Sequence, residues 1–82
     1  MISCISFLNN TGFSYISVVE DEKVLVEILP KNQVSKKIEI NSGSVSFEFF
    51  KNSPKPFLNV YIPLYPGESY TLAVYETFAE FI

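Results

Sequence analysis

The sequence predicts an all-β chain that folds as a small antiparallel β-sandwich of about seven strands. Three observations predict this class. Apolar residues recur at every second position through most of the chain, which is the side-chain period of a strand with one buried face. Turn residues interrupt these runs about every 8–12 residues. No stretch has helical spacing except the tail ETFAEFI, residues 76–82, and a barrel of about five strands is the runner-up fold.

Each predicted strand is an alternating run bounded by turn or loop residues. The runs are 2–8, 13–20, 23–29, 34–40, 44–51, 57–63 and the alternating part of 64–76. The second and third runs form a β-hairpin across Asp21-Glu22, although this turn lacks the favoured Asn-Gly or Asp-Gly pair. A further turn at 41–43 ends in Gly43, which takes a positive φ without steric cost.

The fourth predicted strand has an imperfect apolar face. Val34, Ile38 and Ile40 share that face, and Lys36 interrupts it. Lysine on an exposed strand discourages pairing with another chain. We therefore expect this strand to be short or to lie at the edge of a sheet.

Size and composition predict one globular domain spanning residues 1–82. Hydrophobic residues make up 48% of the chain, and eight Phe and five Tyr supply a core. The net charge is −3 and all six basic residues are lysines, which argues against nucleic-acid binding. No apolar run approaches the roughly 20 residues needed to span a bilayer, so we expect no membrane insertion. Because no signal peptide is visible, the default compartment is the cytoplasm.

Several kinds of chemistry are excluded by the residues that the chain lacks. Histidine is absent and Cys4 is the single cysteine, so a histidine triad, an imidazole metal site, an internal disulfide and a zinc cluster cannot form. We interpret Cys4 as a small buried hydrophobe. The three glycines are far apart and form no phosphate-binding loop. We therefore expect no catalytic residues, no cofactor and no metal: the chain is not an enzyme.

Two short motifs match functional patterns, but only weakly, and a structural role is expected for both. Glu20-Asp21-Glu22 is the densest acidic cluster, but no calcium-loop pattern surrounds it, and we expect a solvated turn. Asn9-Asn10-Thr11 matches the acceptor pattern for N-glycosylation, which matters only in a secretory route.

Aromatic residues give the clearest functional indication. Phe49 and Phe50 are adjacent, so in a regular strand they face opposite sides of the sheet. Either a bulge and the chain's own loops cover the surplus aromatic residues, or a partner does, since exposed aromatic patches mark interfaces. The candidate partner-binding residues are Phe50, Phe57, Tyr61, Tyr65, Phe78 and Phe81.

Four stretches carry a resemblance to a known family. They are FLNNTGF (7–13), YISVVEDEKVLVEIL (15–29), NSGSVSFEFF (41–50) and LYPGESYTLAVYE (64–76). In these turn-and-strand patterns the chain resembles bacterial immunoglobulin-like β-sandwich domains of unknown function, often found in secreted or cell-surface proteins. The resemblance implies a non-enzymatic sandwich, with the cell surface as a second compartment to consider.

These observations predict a structural or protein-interaction module that associates with itself or binds a protein partner. Sandwiches leave unpaired strand edges, so edge-strand pairing is the expected route. The first strand and residues 76–82 are the expected contacts. The alternative is a carbohydrate-binding module of the bacterial cell envelope, which requires aromatic rings aligned on one exposed face to stack on a polysaccharide.

Overall fold

The computed structural model describes residues 1–82 and shows two four-stranded sheets and no helix. The strands are β1 (Ile2–Asn9), β2 (Tyr15–Glu20), β3 (Lys23–Pro30), β4 (Ile38–Asn41), β5 (Gly43–Phe50), β6 (Leu58–Leu64), β7 (Ser69–Val74) and β8 (Ala79–Phe81). The all-β prediction is confirmed, and the barrel alternative is wrong because the sheets stay separate. No helix has the length and apolar character needed to cross a bilayer.

Each sheet brings together strands that are distant in sequence. Sheet A has the order β4-β1-β7-β8, and sheet B has the order β3-β2-β5-β6. All neighbouring strands are antiparallel except β1 and β7, which pair in parallel from Cys4 opposite Ser69 to Asn9 opposite Val74. The expectation of a wholly antiparallel sandwich therefore needs one correction, at the centre of sheet A.

The core lies between the sheets and is filled by the alternating residues of the central strands. Phe7 of sheet A meets two rings of sheet B edge-on, with centroid distances of 5.3 Å to Phe47 and 5.9 Å to Phe49. Edge-to-face pairs contribute about 0.5–1.5 kcal/mol each beyond the burial of their area. The remaining members of the buried cluster are Ile5, Ile16, Val18, Leu29, Ile40, Val45, Leu64, Leu72 and Val74.

The predicted β2–β3 hairpin is present, and its turn is unusual in composition. Asp21 has a φ of 51° and Glu22 a φ of 65°. Two positive φ values in a two-residue loop are the signature of a type I′ turn, whose twist matches that of the flanking strands. Pairing across the hairpin includes two register shifts, between Ile16 and Val18 and between Val18 and Val19. These irregularities bend β3, which is an edge strand.

The fourth strand is shorter than predicted. Residues 34–37 lie outside it, and Val34 makes only an isolated bridge with Leu8. Ser35 explains the departure: its backbone N–H donates to the carbonyl of Phe7 at 2.8 Å, and its hydroxyl accepts the N–H of Phe7 at 2.9 Å. When a side-chain oxygen accepts a backbone N–H that would otherwise bond to the neighbouring strand, regular strand pairing is interrupted. The predicted edge position of this strand is confirmed.

The predicted helical tendency of the tail is wrong, because the tail adds an eighth strand to the fold. In β8, Phe81 lies opposite Leu72 and Ala79 lies opposite Val74. The backbone N–H of Ile82 donates to the carbonyl of Thr71 at 3.0 Å. Tertiary pairing with β7 thus decides the conformation of a segment too short to be a stable helix alone.

The first strand is central, so the prediction that it offers a free edge is wrong. It pairs with β4 on one side and with β7 on the other. Its Cys4 faces away from the core, beside Glu39 and Ser69, and is only partly buried. The interpretation of Cys4 as a buried core residue is therefore corrected.

Candidate functional site

The six predicted partner-binding residues do not converge on one surface. Phe50 is half-buried on the outer face of sheet B, opposite Ser17. Tyr61 is also on that outer face, in the edge strand β6, and is 73% exposed. Tyr65 is exposed in the turn between β6 and β7. These three positions therefore do not form a row of aligned rings.

One of the six residues belongs to the protein's own packing. The ring of Phe57 lies 5.0 Å from that of Phe13, and both pack against the hydrophobic core. The ammonium of Lys51 lies 4.7 Å from the centre of the Phe13 ring, an arrangement that favours cation–π attraction. Phe57 thus closes the end of the sandwich, and its intramolecular packing explains part of the aromatic surplus.

The last two predicted residues lie at the β8 edge of sheet A, each in its own pair of rings. The ring of Phe78 stacks on Tyr75 with a centroid distance of 4.5 Å, and Phe81 lies 4.8 Å from Tyr70. Phe78 and Phe81 remain 48% and 42% exposed. With the exposed Ile82 they form what we name the aromatic edge, defined as Tyr70, Tyr75, Phe78, Phe81 and Ile82.

A second apolar surface lies at the other side of the sandwich and contains none of the predicted residues. It is a groove of about 720 Å³ between β3 and the segment that leads into β4. We name it the β3–β4 groove; it is lined by Leu25, Val26, Glu27, Ile28, Leu29, Pro30, Gln33, Val34, Ser35, Lys36 and Ile38. Ile28 and Val34 are both mostly exposed.

Strand period alone does not predict the groove, but the sequence of β3 contains a signal for it. Apolar residues of β3 stand at consecutive positions, 24–26 and 28–29. One buried face accepts only every second residue of a regular strand. The register shifts let Leu25 and Val26 both pack against the core, and Ile28 is left outside. Consecutive apolar residues in an edge strand therefore indicate an exposed aliphatic surface.

The two apolar surfaces have opposite charges around them. Lys36 lines the groove together with one exposed acid, Glu27, and Lys31 and Lys37 are exposed beside it. Glu76 and Glu80 are exposed beside the aromatic edge, and no lysine occurs after residue 55. The rim of the groove therefore has a net positive charge, with three lysines to one glutamate, and the aromatic edge has an acidic rim.

All four free strand edges are protected against the addition of another strand. The β3 edge is bent by its register shifts, and β6 contains Pro63, which has no backbone N–H to donate. The other two edges are short, with four residues in β4 and three in β8. Bulges, proline and short strands are the usual means of preventing edge pairing. The exposed side chains, rather than the backbone edges, are thus the available contact surfaces.

The acidic turn forms an entirely polar surface. Glu20, Asp21, Glu22 and Glu48 line a hollow of about 650 Å³ together with Ser44, Ser46 and Asn59. No group of three or more His, Cys, Asp or Glu side chains has an arrangement suited to a metal ion. Asp21 and Glu22 are both exposed at the tip of this turn.

The fold and these surfaces define the chain as a small all-β protein of two packed sheets. No family model, no curated protein and no solved structure matches this chain.

Proposed function

We propose that the protein is a non-enzymatic structural or interaction module that associates with itself or binds a protein partner through exposed apolar side chains. The observation that carries the proposal is the pair of lateral surfaces, the aromatic edge and the β3–β4 groove. They contain five of the large exposed apolar side chains: Ile28, Val34, Phe78, Phe81 and Ile82.

These apolar side chains are exposed to water, and covering them with a partner would lower the free energy. Covering one such side chain completely contributes about 1.5–3 kcal/mol. Single exposed apolar residues are normal on a protein surface, but clusters of them indicate contact sites. Aromatic residues in particular are enriched at the buried centres of interfaces. Phe78 and Phe81 are therefore the anchors that we assign to the partner-binding role.

We also infer that the sandwich is a variant of the immunoglobulin-like architecture. In that architecture the second and fifth strands are neighbours in one sheet, and β2 and β5 are paired here. The variant differs in four strands. Strands β1 and β4 lie in the sheet opposite β2 and β5, and β3 and β6 pair with β2 and β5 instead of joining the other sheet.

The polysaccharide alternative stays a prediction without a specific feature in its favour. Stacking on sugar rings needs aromatic faces aligned on one exposed surface. Of the residues on the outer face of sheet B, only Tyr61 is a largely exposed aromatic.

A site-specific photo-crosslinking experiment tests the proposed function. A photoreactive phenylalanine analogue is placed at position 78, 28 or 53 of the purified protein, which is then irradiated alone and in an extract of the source organism. We expect protein adducts from positions 78 and 28. Position 53, an exposed serine in a loop, is the matched control. Adduct yields at 78 and 28 no higher than at 53, in both settings, would overturn the proposal.

A further inference from the structure

We propose that the protein associates with itself head to tail, with the aromatic edge of one copy seated in the β3–β4 groove of the next. This inference rests on the proposed function and specifies the partner, a second copy of this chain. One observation supports it. One side of the sandwich has an apolar surface with acidic flanks, and the other side has an apolar surface with basic flanks.

The placement of the two surfaces follows from the strand order. Strands β4 and β8 are the two opposite edges of sheet A. The groove lies on the β4 side and the aromatic edge is formed at β8. A protomer therefore cannot fill its own groove with its own aromatic edge, whereas a neighbouring protomer can do so.

Side-chain chemistry fits the two surfaces to each other. The groove offers aliphatic walls that include Ile28 and Val34, and the edge offers the rings of Phe78 and Phe81. Aromatic–aliphatic contact removes both from water without leaving a polar group unpaired. The groove volume of about 720 Å³ is within the range of ordinary ligand pockets.

Charge fixes the direction of the contact. Lys36 and Glu27 line the groove and Lys31 and Lys37 lie beside it, while Glu80 lies in the middle of β8 and is exposed. Groove-to-groove contact would oppose two surfaces of net positive charge, and edge-to-edge contact would oppose glutamates. Groove-to-edge contact places opposite charges together, which selects against the two symmetric arrangements.

A contact between different surfaces has consequences for the assembly. It leaves one free groove and one free edge on every dimer, so addition continues until a ring closes or the chain stays open. The contact is carried by few side chains, so the association is expected to be weak and to depend on concentration. Raising the ionic strength should weaken it further, because the flanking charges are exposed.

Charge reversal and mixing test the direction of the contact. E80K and the double variant K36E/K37E are each expected to weaken self-association about tenfold or more, measured by sedimentation velocity over a range of concentrations. An equimolar mixture of the two variants should associate like the unmodified protein, because each reversed surface then meets its complement. The single chain that combines all three substitutions should associate as well.

Matched controls separate this contact from general charge effects. E68K reverses another exposed acid, in the turn before β7, and should leave association unchanged. Ile28→Ser should weaken association, whereas Tyr65→Ser, which removes an exposed ring at the end of the sandwich, should not. Circular dichroism verifies that each variant is folded.

Three results would overturn the head-to-tail proposal: a monomer at every concentration, association that stops at a dimer closed through identical surfaces, or reversed-charge variants that associate like the unmodified protein. None of these results by itself overturns the proposed function. That proposal fails only when the photoreactive group at positions 78 and 28 captures no protein beyond the control.

Discussion

The side chain of Asn9 holds three parts of the chain together from a fully buried position. Its amide nitrogen donates to the carbonyl of Leu29 at 2.9 Å. Its amide oxygen accepts the backbone N–H of Thr11 at 3.0 Å and the hydroxyl of Thr11 at 2.6 Å. Asn9 is completely inaccessible. The match to a glycosylation motif therefore has a structural explanation, since the folded protein leaves no room for a glycan at this amide.

Replacing this amide should destabilise the protein far more than replacing its neighbour. Asn9→Ala leaves buried donors and acceptors unpaired and is expected to lower the free energy of unfolding by about 2–4 kcal/mol. Asn10→Ala is the control, because Asn10 is exposed and makes one side-chain hydrogen bond, to Tyr75. This substitution should lower the free energy of unfolding by about 0.5 kcal/mol or less. Urea denaturation measures both values, and equal costs would contradict the assigned role of Asn9.

Adjacent phenylalanines in β5 provide a second comparison between single residues. Phe49 is completely buried and contacts the Phe7 ring, whereas Phe50 is half-buried on the outer face. Phe49→Ala creates a cavity in the core and should lower the free energy of unfolding by about 3–5 kcal/mol. Phe50→Ala should cost about 1 kcal/mol, because solvent reaches the space that it leaves. Thermal unfolding that ranks the two variants in reverse order would show that the faces of β5 are misassigned.

Among the elements, the β2–β3 hairpin combines a demanding turn with one unsuitable residue, Glu22, since aspartate is among the residues that such turns favour. Asp21 and Glu22 both hold positive φ values, and a non-glycine residue in this region carries a cost of about 1–2 kcal/mol. The pairing of Glu20 with Lys23 and of Val19 with Val24 on either side of the turn keeps the two residues there. Strand pairing therefore imposes a turn that the local sequence does not favour.

Glycine at position 22 should relieve that cost. Glu22→Gly is expected to raise the free energy of unfolding by about 0.5–1 kcal/mol, since the relief of steric strain exceeds the entropy lost by glycine on folding. Glu22→Gln is the control: it removes the charge but retains the strained φ, so it should have the smaller effect. If Glu22→Gln stabilises the protein as much as Glu22→Gly in urea denaturation, repulsion among the acids, and not the backbone, is the cause.

In the molecule as a whole, the two ends of the chain meet in one sheet. Residues 4–9 of β1 pair with residues 69–74 of β7, and this parallel pair forms the centre of sheet A. Sheet A therefore cannot be completed until nearly the whole chain is available. Folds dominated by such distant pairings fold slowly, on a timescale of about milliseconds to seconds.

Truncation tests the dependence of the fold on this pairing. A chain ending at residue 68 lacks the partner of β1 and loses the core residues Leu72 and Val74. It should be unfolded by circular dichroism and by the narrow dispersion of its amide resonances.

A chain ending at residue 78 is the control, because it loses only the peripheral β8. It should stay folded, with a free energy of unfolding lower by about 2 kcal/mol from the loss of the partly buried Ala79 and of the contact between the Phe81 and Tyr70 rings. A folded chain ending at residue 68 would contradict the central role of the parallel pair.

Local sequence patterns are enough to assign the residues that face the core in most strands. Alternation placed Val45, Phe47 and Phe49 on one side of β5, and the turn residues located six of the strands to within a few positions. These features are local, because the strand period and the turn preferences depend on neighbouring residues only. The all-β class and the β2–β3 hairpin follow from the same local rules.

Long-range pairing sets which strands are neighbours, and therefore which surfaces are exposed. Alternation gives a strand its two faces but does not select its partner, because pairing joins residues far apart in the chain. The parallel β1–β7 pair, the strand formed by the tail and the position of Phe57 against Phe13 all result from such pairing. The opposite locations of the β3–β4 groove and the aromatic edge have the same origin, since they follow from the order of strands across the sheets.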